Sequence, residues 1–257
     1  MTKIHAIAAY LDELLETRTT PDYPPALNGL QLENQSEITG IAAAVDFSTR
    51  AIKGAIAAKA NLLVVHHGMF WEGPGHLSGP TYQRLRLLIE NDIAVYSSHL
   101  PLDRHPTFGN NVLLARQLGL EPSAPFAGFE GIFIGVRGET EIETAVLAER
   151  ARQFAKNYGT EVRTTPIEKN RRTKRWAICT GAGASTDTLR EARETNADTL
   201  IVGEGPHWTA VYADENDLAI IYAGHYATET LGVRAVSEQV GKNFGIPSTF
   251  ISAPTGL

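Results

Sequence analysis

Three short stretches of this chain concentrate imidazoles and carboxylates: VVHHG with His66 and His67, SSHLPLD with His99 and Asp103, and AGHYATE with His225 and Glu229. Neutral imidazoles and carboxylates are ordinary ligands for zinc, manganese or iron. His225 and Glu229 lie four apart where a helix is expected to begin, a spacing that puts both on one face about a turn apart. Adjacent histidines in a strand point to opposite faces. If a strand ends at Val65, Gly68 permits a sharp turn that aims both rings into one crevice. Each could then serve a different ion of a two-metal pair, where ions sit ~3.5–4 Å apart. In HLPLD, Pro101 interrupts regular strand pairing and leaves a loop that can turn Asp103 toward the same crevice. Each stretch also has a plain structural reading. The helix-start His can pack beside a solvated Glu, Asp103 can cap a helix, and the paired histidines can be one core and one surface residue. Together His66, His67, Asp103, His225 and Glu229 make an inventory suited to a dinuclear site with positions open to water.

Other polar groups fall at the same kind of place, just past an expected strand. Glu204 and His207 in GEGPHW are candidates for orienting a ligand or transferring a proton, and His99 is a non-ligand acid/base candidate near Asp103. Asp46 ends VDF and is a candidate partner for a ligand. The TGAGAS loop (180–185) could form an anion-binding nest of backbone N–H groups, or simply a tight turn; it lacks the Lys-Ser/Thr tail of a Walker motif. KNRRTKR (169–175) is the one basic cluster and reads as a solvated loop. His5, His76 and His105 read as surface residues.

The elements that must position these groups alternate. Strands are expected at 40–47, 61–65, 93–98, 131–138, 161–166, 174–181, 197–203, 218–224 and 246–252, with helices between most of them. This order predicts an α/β architecture with substantially parallel pairing, and ligands then bind beyond the carboxyl ends of the strands. A Pro/Ala/Gly-rich break at 121–128 suggests a division, with residues 1–126 and 219–257 in one α/β domain carrying most of the ligands and 127–218 in a second, smaller one.

With 257 residues, 43% of them hydrophobic, the chain can build a substantial core. A net charge of −6 argues against a dedicated nucleic-acid binder. Cys179 is the single cysteine, so no internal disulfide forms; a reducing compartment fits, as does any compartment that does not rely on disulfides. The N-terminal stretch is expected to form an amphipathic helix rather than a signal peptide. No apolar run approaches the ~18–20 residues of a membrane span. A cytoplasmic location is expected, without membrane partners.

The combination HHG…FWEG, SSHLPLDRHPTFGNN and GEGPHW…AGHYATET resembles the NIF-three-like family, whose members are often labelled "GTP cyclohydrolase 1 type 2 homologue". NGLQLEN (28–34) and VDFS (45–48) are similar to that family's opening motifs. The likeness covers nearly the whole chain, with the motifs in the family's order. It implies two interlinked α/β domains, each a mixed sheet flanked by helices, a ring-shaped homohexamer, and two divalent metals held between the domains. Carried over motif by motif, it implies His66, His67, Asp103, His225 and Glu229 as metal ligands, with Glu229 as the bridge. Where many relatives have Pro after the paired histidines, this chain has Gly68.

The expected function is that of a two-metal hydrolase acting on a small, nucleotide-like or phosphorylated substrate, of cyclohydrolase or phosphoesterase type. The metal could be Zn, Mn, Fe, Co or Ni. A protein that delivers or buffers metal without turnover is the second reading, and an interaction scaffold with structural metals the third.

Overall fold

The computed structural model describes residues 2–257 except Glu72 and Pro74; Glu72 of the FWEG stretch lies outside the described residues. The chain divides into two compact units, Met1–Leu102 with Gly232–Ala253, and Asp103–Leu231 with Pro254–Leu257. Each is built on its own mixed sheet flanked by helices, so the class is α/β.

In the first unit, helix α1 (Ile4–Leu14) buries Ile4, Ile7, Ala8 and Leu11, the one-sided stripe its sequence spacing demands. Strands β1 (Gly29–Leu32), β2 (Ile41–Asp46), β3 (Leu62–His67) and β4 (Ala94–Ser97), with the late strand β11 (Ser248–Phe250), form a sheet in the order β1-β4-β3-β2-β11. β1 runs antiparallel to β4, and the other pairs are parallel. Parallel strands buried on both faces read as continuous apolar runs, which is what LLVV and IAAAV are. Alternate residues Ala42, Ala44, Leu63, Val65 and Val95 pack with Ala51, Ile52 and Ala55 of α2 (Thr49–Ala57) and Leu88 of α3 (Gly79–Glu90). Ser48 caps α2, its hydroxyl accepting the Ala51 N–H at 3.2 Å.

The chain leaves the first unit in the helical turn α4 (Leu100–Asp103), whose last residue opens the second, and continues into α5 (Asn110–Gln117). Strands β5 (Ala124–Phe129), β6 (Ile132–Glu143), β7 (Arg163–Thr164), β8 (Arg172–Cys179), β9 (Thr199–Val202) and β10 (Ala219–Tyr222) assemble in the order β5-β6-β8-β9-β10-β7. The β8-β9-β10 centre is parallel and both margins are antiparallel, with β7 as the two-residue edge. Helices α6 (Thr144–Lys156), α7 (Thr186–Glu194) and α8 (Trp208–Glu215) connect these strands; α7 is capped by Ser185, which accepts the Thr188 N–H. Phe126, Ala177, Cys179, Leu200, Val202 and Ile220 share a core with Leu189, Ala192 and Ala213. A short helix, α9 (His225–Thr228), completes the second unit, and α10 (Thr230–Phe244) belongs to the first from Gly232 onward.

Several local expectations change. The Pro-rich break at 121–128 contains the start of β5, because Pro125 sits in the outermost strand of its sheet, where a missing N–H is tolerated. β10 pairs with β9, so the second unit runs on to Leu231, past the boundary at 218 expected from the sequence. HLPLD folds as a turn of helix rather than a loop, since proline is compatible with a helix's first turn. β1, within NGLQLEN, is a strand that the sequence reading omitted. Among the described residues no helix is long and apolar enough to cross a membrane.

Candidate metal centre

Strand β3 continues through both histidines instead of stopping at Val65, and His67 pairs in register with Asp46 of β2. The ladder therefore positions the rings, not a left-handed turn at Gly68, which is absent from the residues with positive φ. Gly68 matters sterically instead: a Cβ there would lie 2.3 Å from the Gln31 side chain, whose Oε1 accepts the Met69 N–H at 2.7 Å.

The rings of His66, His67 and His99 pack together, with centroids 4.8 Å (66 to 67), 4.9 Å (66 to 99) and 5.7 Å (67 to 99) apart. One ring nitrogen from each lies within 4.8 Å of the others, a grouping able to hold a metal ion. His66 is fully buried, His99 is 8% exposed and His67 is partly buried. His99, read from the sequence as a non-ligand, thus stands in the same cluster as the two expected ligands. Trp71 walls it, its ring 4.9 Å from His67 and 4.7 Å from His99.

In the second unit Asp103 is 8% exposed and its Oδ1 accepts from Asn110 Nδ2 at 2.8 Å. His225 opens α9 and Glu229 is its C-cap; His225 Nε2 and Glu229 Oε2 are 3.2 Å apart. Glu229 is 3% exposed. Gly181, at φ +63°, leaves room for it: a Cβ there would sit 2.1 Å from Glu229 Oε1. Part of the TGAGAS loop is thereby spoken for. The Thr180 N–H goes to Asn111 Oδ1 and the Gly181 N–H to Thr228 Oγ1, so these two donors do not form an open anion nest.

The imidazoles of His66, His67, His99 and His225 share one feature. Nδ1 of His66 is 2.9 Å from the Ser98 carbonyl; Nδ1 of His67, His99 and His225 are each 2.8 Å from Asp46, Asp22 and Glu204 carboxylates. A carbonyl or carboxylate oxygen only accepts, so each Nδ1 carries a proton; on His66, His67 and His99 this leaves the lone pair on Nε2, while Nε2 of His225 shares a proton with Glu229 Oε2 in the metal-free chain. Metal-ligating histidines are oriented in this way. The donor set therefore fits divalent metal. Burial works against a charge on His225, but the charge and hydrogen bond of Glu229, joined by Glu204, outweigh it and raise its pKa to about 9. Asp22 is held below the usual carboxylate range despite burial, through its hydrogen bond to and attraction for His99, helped by the Asn28 amide and the Leu100 N–H. Cys179 is buried, which pushes its thiol pKa well up, as do the charges of Asp103, Glu229 and Glu191; it is no thiolate ligand.

Glu204 and Asp46 thus orient imidazoles, while His207 is exposed at the N-cap of α8. Asp22, Asn110 and Asn111 went unassigned in the sequence. Asp22 is 77 residues from its histidine, a separation with no local signal; the GNN triplet offered only composition. His5 faces Glu33 at the surface, His76 is exposed, and His105 caps its own loop by accepting the Thr107 and Phe108 N–H groups. In the basic cluster, Arg171 is occupied by Asp217 and Arg172 by Glu141, while Asp198 accepts the Lys174 N–H.

Comparisons with known proteins agree with this architecture. The family model described as Duf34/NIF3 (NGG1p interacting factor 3) matches residues 2–255. A curated relative from Pyrococcus abyssi is 40% identical over 98% of this chain and 98% of its own, and one from Deinococcus radiodurans is 38% identical over 98% and 93%; both are called "GTP cyclohydrolase 1 type 2 homolog". Among solved structures, protein ybgI superposes with a TM-score of 0.89 at 32% identity, and a Thermus thermophilus protein with 0.85 at 32%, each covering 100% of both chains. The chain belongs to the Duf34/NIF3 (NGG1p interacting factor 3) family.

Proposed function

We propose that this protein is a hydrolase that works with two divalent metal ions per subunit, acting on a small nucleotide-like or phosphorylated substrate. The observation that carries the reading is the Nδ1 tether on His66, His67, His99 and His225, which reserves each Nε2 for a ligand. His66, His67, Asp103, His225 and Glu229 are the proposed ligands. Bound divalent metal supplies an acidified water and polarises the electrophile. The chain's residues do the rest. Ser98, Asp46 and Glu204 fix ring orientation. Asn110 holds the Asp103 carboxylate. His99, held by Asp22, and His207, on the exposed start of α8, are the groups proposed to move protons. The names of the curated relatives support a cyclohydrolase-like reaction, and a phosphoesterase is the other version of the same chemistry. Burial of His66, His99, Asp103 and Glu229 favours retention of metal over delivery or buffering, and an interaction scaffold has no need of oriented lone pairs. We further propose a cytoplasmic homohexamer, as the family likeness implies.

The test combines metal analysis with activity. Purified protein is assayed for bound metal and for hydrolysis of nucleotides and phosphoesters, beside Glu229→Ala. Turnover that tracks metal occupancy and is lost in Glu229→Ala supports the proposal. Turnover that persists in metal-stripped protein rules it out, and silence with rapid transfer of metal to an acceptor favours metal handling.

A further inference from the structure

The second unit contains a cavity of about 670 Å³ that adjoins Glu204, the carboxylate that orients His225. That volume is in the range of pockets for nucleotide-sized molecules. Its lining includes three glycines whose lack of a Cβ is required by packing. A Cβ at Gly203 would come within 2.4 Å of the Gly181 carbonyl, at Gly205 within 2.4 Å of Ala184, and at Gly224, with φ +93°, within 2.1 Å of Thr160.

The lining is chemically two-sided. Arg163 on the edge strand β7 is exposed and makes no ion pair or side-chain hydrogen bond among the described residues, and His207 stands at the N-cap of α8. Arg163 pairs in register with Tyr222, so the guanidinium stem and the phenol ring share one face of the sheet. Tyr222 is anchored by its hydroxyl, 2.7 Å from Thr209 Oγ1, which leaves a fixed apolar ring in the wall. Glu161 and Glu204 supply acceptors. Thr160 is 8% exposed, and its hydroxyl has no hydrogen-bond partner among the described residues, an omission that a bound molecule or water would repair. A guanidinium, an imidazole and a helix N-terminus in one cavity suit a phosphate, while the carboxylates suit a body that carries N–H or O–H donors.

We infer that this cavity is the binding site for a small organic phosphate of nucleoside monophosphate size, with Arg163 and His207 on the phosphate and Glu161 meeting donors on the body. The inference deepens the hydrolase reading by naming the substrate class, and rests on that reading only for the step from binding to turnover.

Binding is measured on the full-length, metal-stripped protein by calorimetry, with adenosine and guanosine 5′-monophosphate, adenosine, and inorganic phosphate as probes. A nucleoside monophosphate is expected to bind more tightly than either adenosine or phosphate. Arg163→Glu should weaken it by about tenfold or more, the scale of one lost charged hydrogen bond. Ala210→Trp, which fills the cavity from α8 without changing charge, should abolish it, and covers the case that the charge reversal perturbs folding. Metal content after reloading should match wild type in both variants. Absence of nucleotide binding, equal affinity for inorganic phosphate, or unchanged affinity in both folded variants would overturn the assignment. Because the readout needs neither metal nor turnover, its failure is distinct from failure of the hydrolase proposal.

Discussion

Glu204 Oε1 lies 2.8 Å from Nδ1 of His225, so a residue that follows β9 sets the tautomer of one that follows β10. The parallel pairing of those two strands carries both groups to the same end of the sheet. Removing the charge while keeping the shape isolates this relationship. In Glu204→Gln, which keeps an acceptor oxygen but loses the charge, affinity for divalent metal should fall by about tenfold, the low end of the cost of altering a ligand's hydrogen-bond partner. Competition with a chromogenic chelator measures it; wild-type affinity would show that Glu204 does not act through His225.

The same imidazole makes metal-free protein sensitive to alkali. Its pKa in the folded chain is about 9, above the ~6.5 of an unperturbed histidine. A group whose pKa is raised by folding stabilises fully below the unfolded value and loses that contribution as pH rises through the folded one. Urea midpoints of chelator-treated protein should therefore fall between pH 6.5 and 9 more in wild type than in His225→Gln. Parallel pH profiles would contradict the assignment.

Gly181→Ala tests the cradle around Glu229. The new Cβ would stand 2.1 Å from Glu229 Oε1, at a φ of +63° that side chains rarely adopt. Backbone strain and displacement of the carboxylate should together cost about 1–3 kcal/mol in urea unfolding, with loss of bound metal. A stable Gly181→Ala protein with full metal content would show that Glu229 is free to move.

Asp22 gathers His99 Nδ1 at 2.8 Å, the Leu100 N–H at 2.9 Å and Asn28 Nδ2 at 2.7 Å. Asp22→Ala leaves these groups without their acceptor in a largely buried place and should destabilise the chain by about 3–5 kcal/mol. Equilibrium urea unfolding reads this directly. A change of under about 1 kcal/mol, the scale of an exposed ion pair, would mean that solvent replaces the carboxylate.

Trp71 offers an optical reporter, since its ring lies 4.9 Å from His67 and 4.7 Å from His99. Addition of a paramagnetic divalent ion such as Co²⁺ or Ni²⁺ should quench part of the tryptophan emission, and Trp71→Phe should remove most of that change. Quenching carried instead by Trp176 or Trp208 would place the metal elsewhere.

The α/β class and the strands LLVV and AAAV were legible because each is written in local spacing: alternating elements and continuous apolar runs. The assignment of strands to sheets was less legible, since an apolar parallel strand such as β10 looks alike whichever sheet receives it. Gly68 shows a different limit. Its identity suggested a turn, but its neighbour is Gln31, far away along the chain.

By itself, the sequence determined the alternation of elements and the chemistry of the donors, because residue type and short-range spacing are local properties. Tertiary structure alone decided that His99 joins His66 and His67, that Asp22, Asp46, Ser98 and Glu204 each hold one Nδ1, and that Gly181 makes way for Glu229. Those relations bridge residues brought together by sheet order and register, and a hydrogen bond between distant positions leaves no mark in the spacing of either.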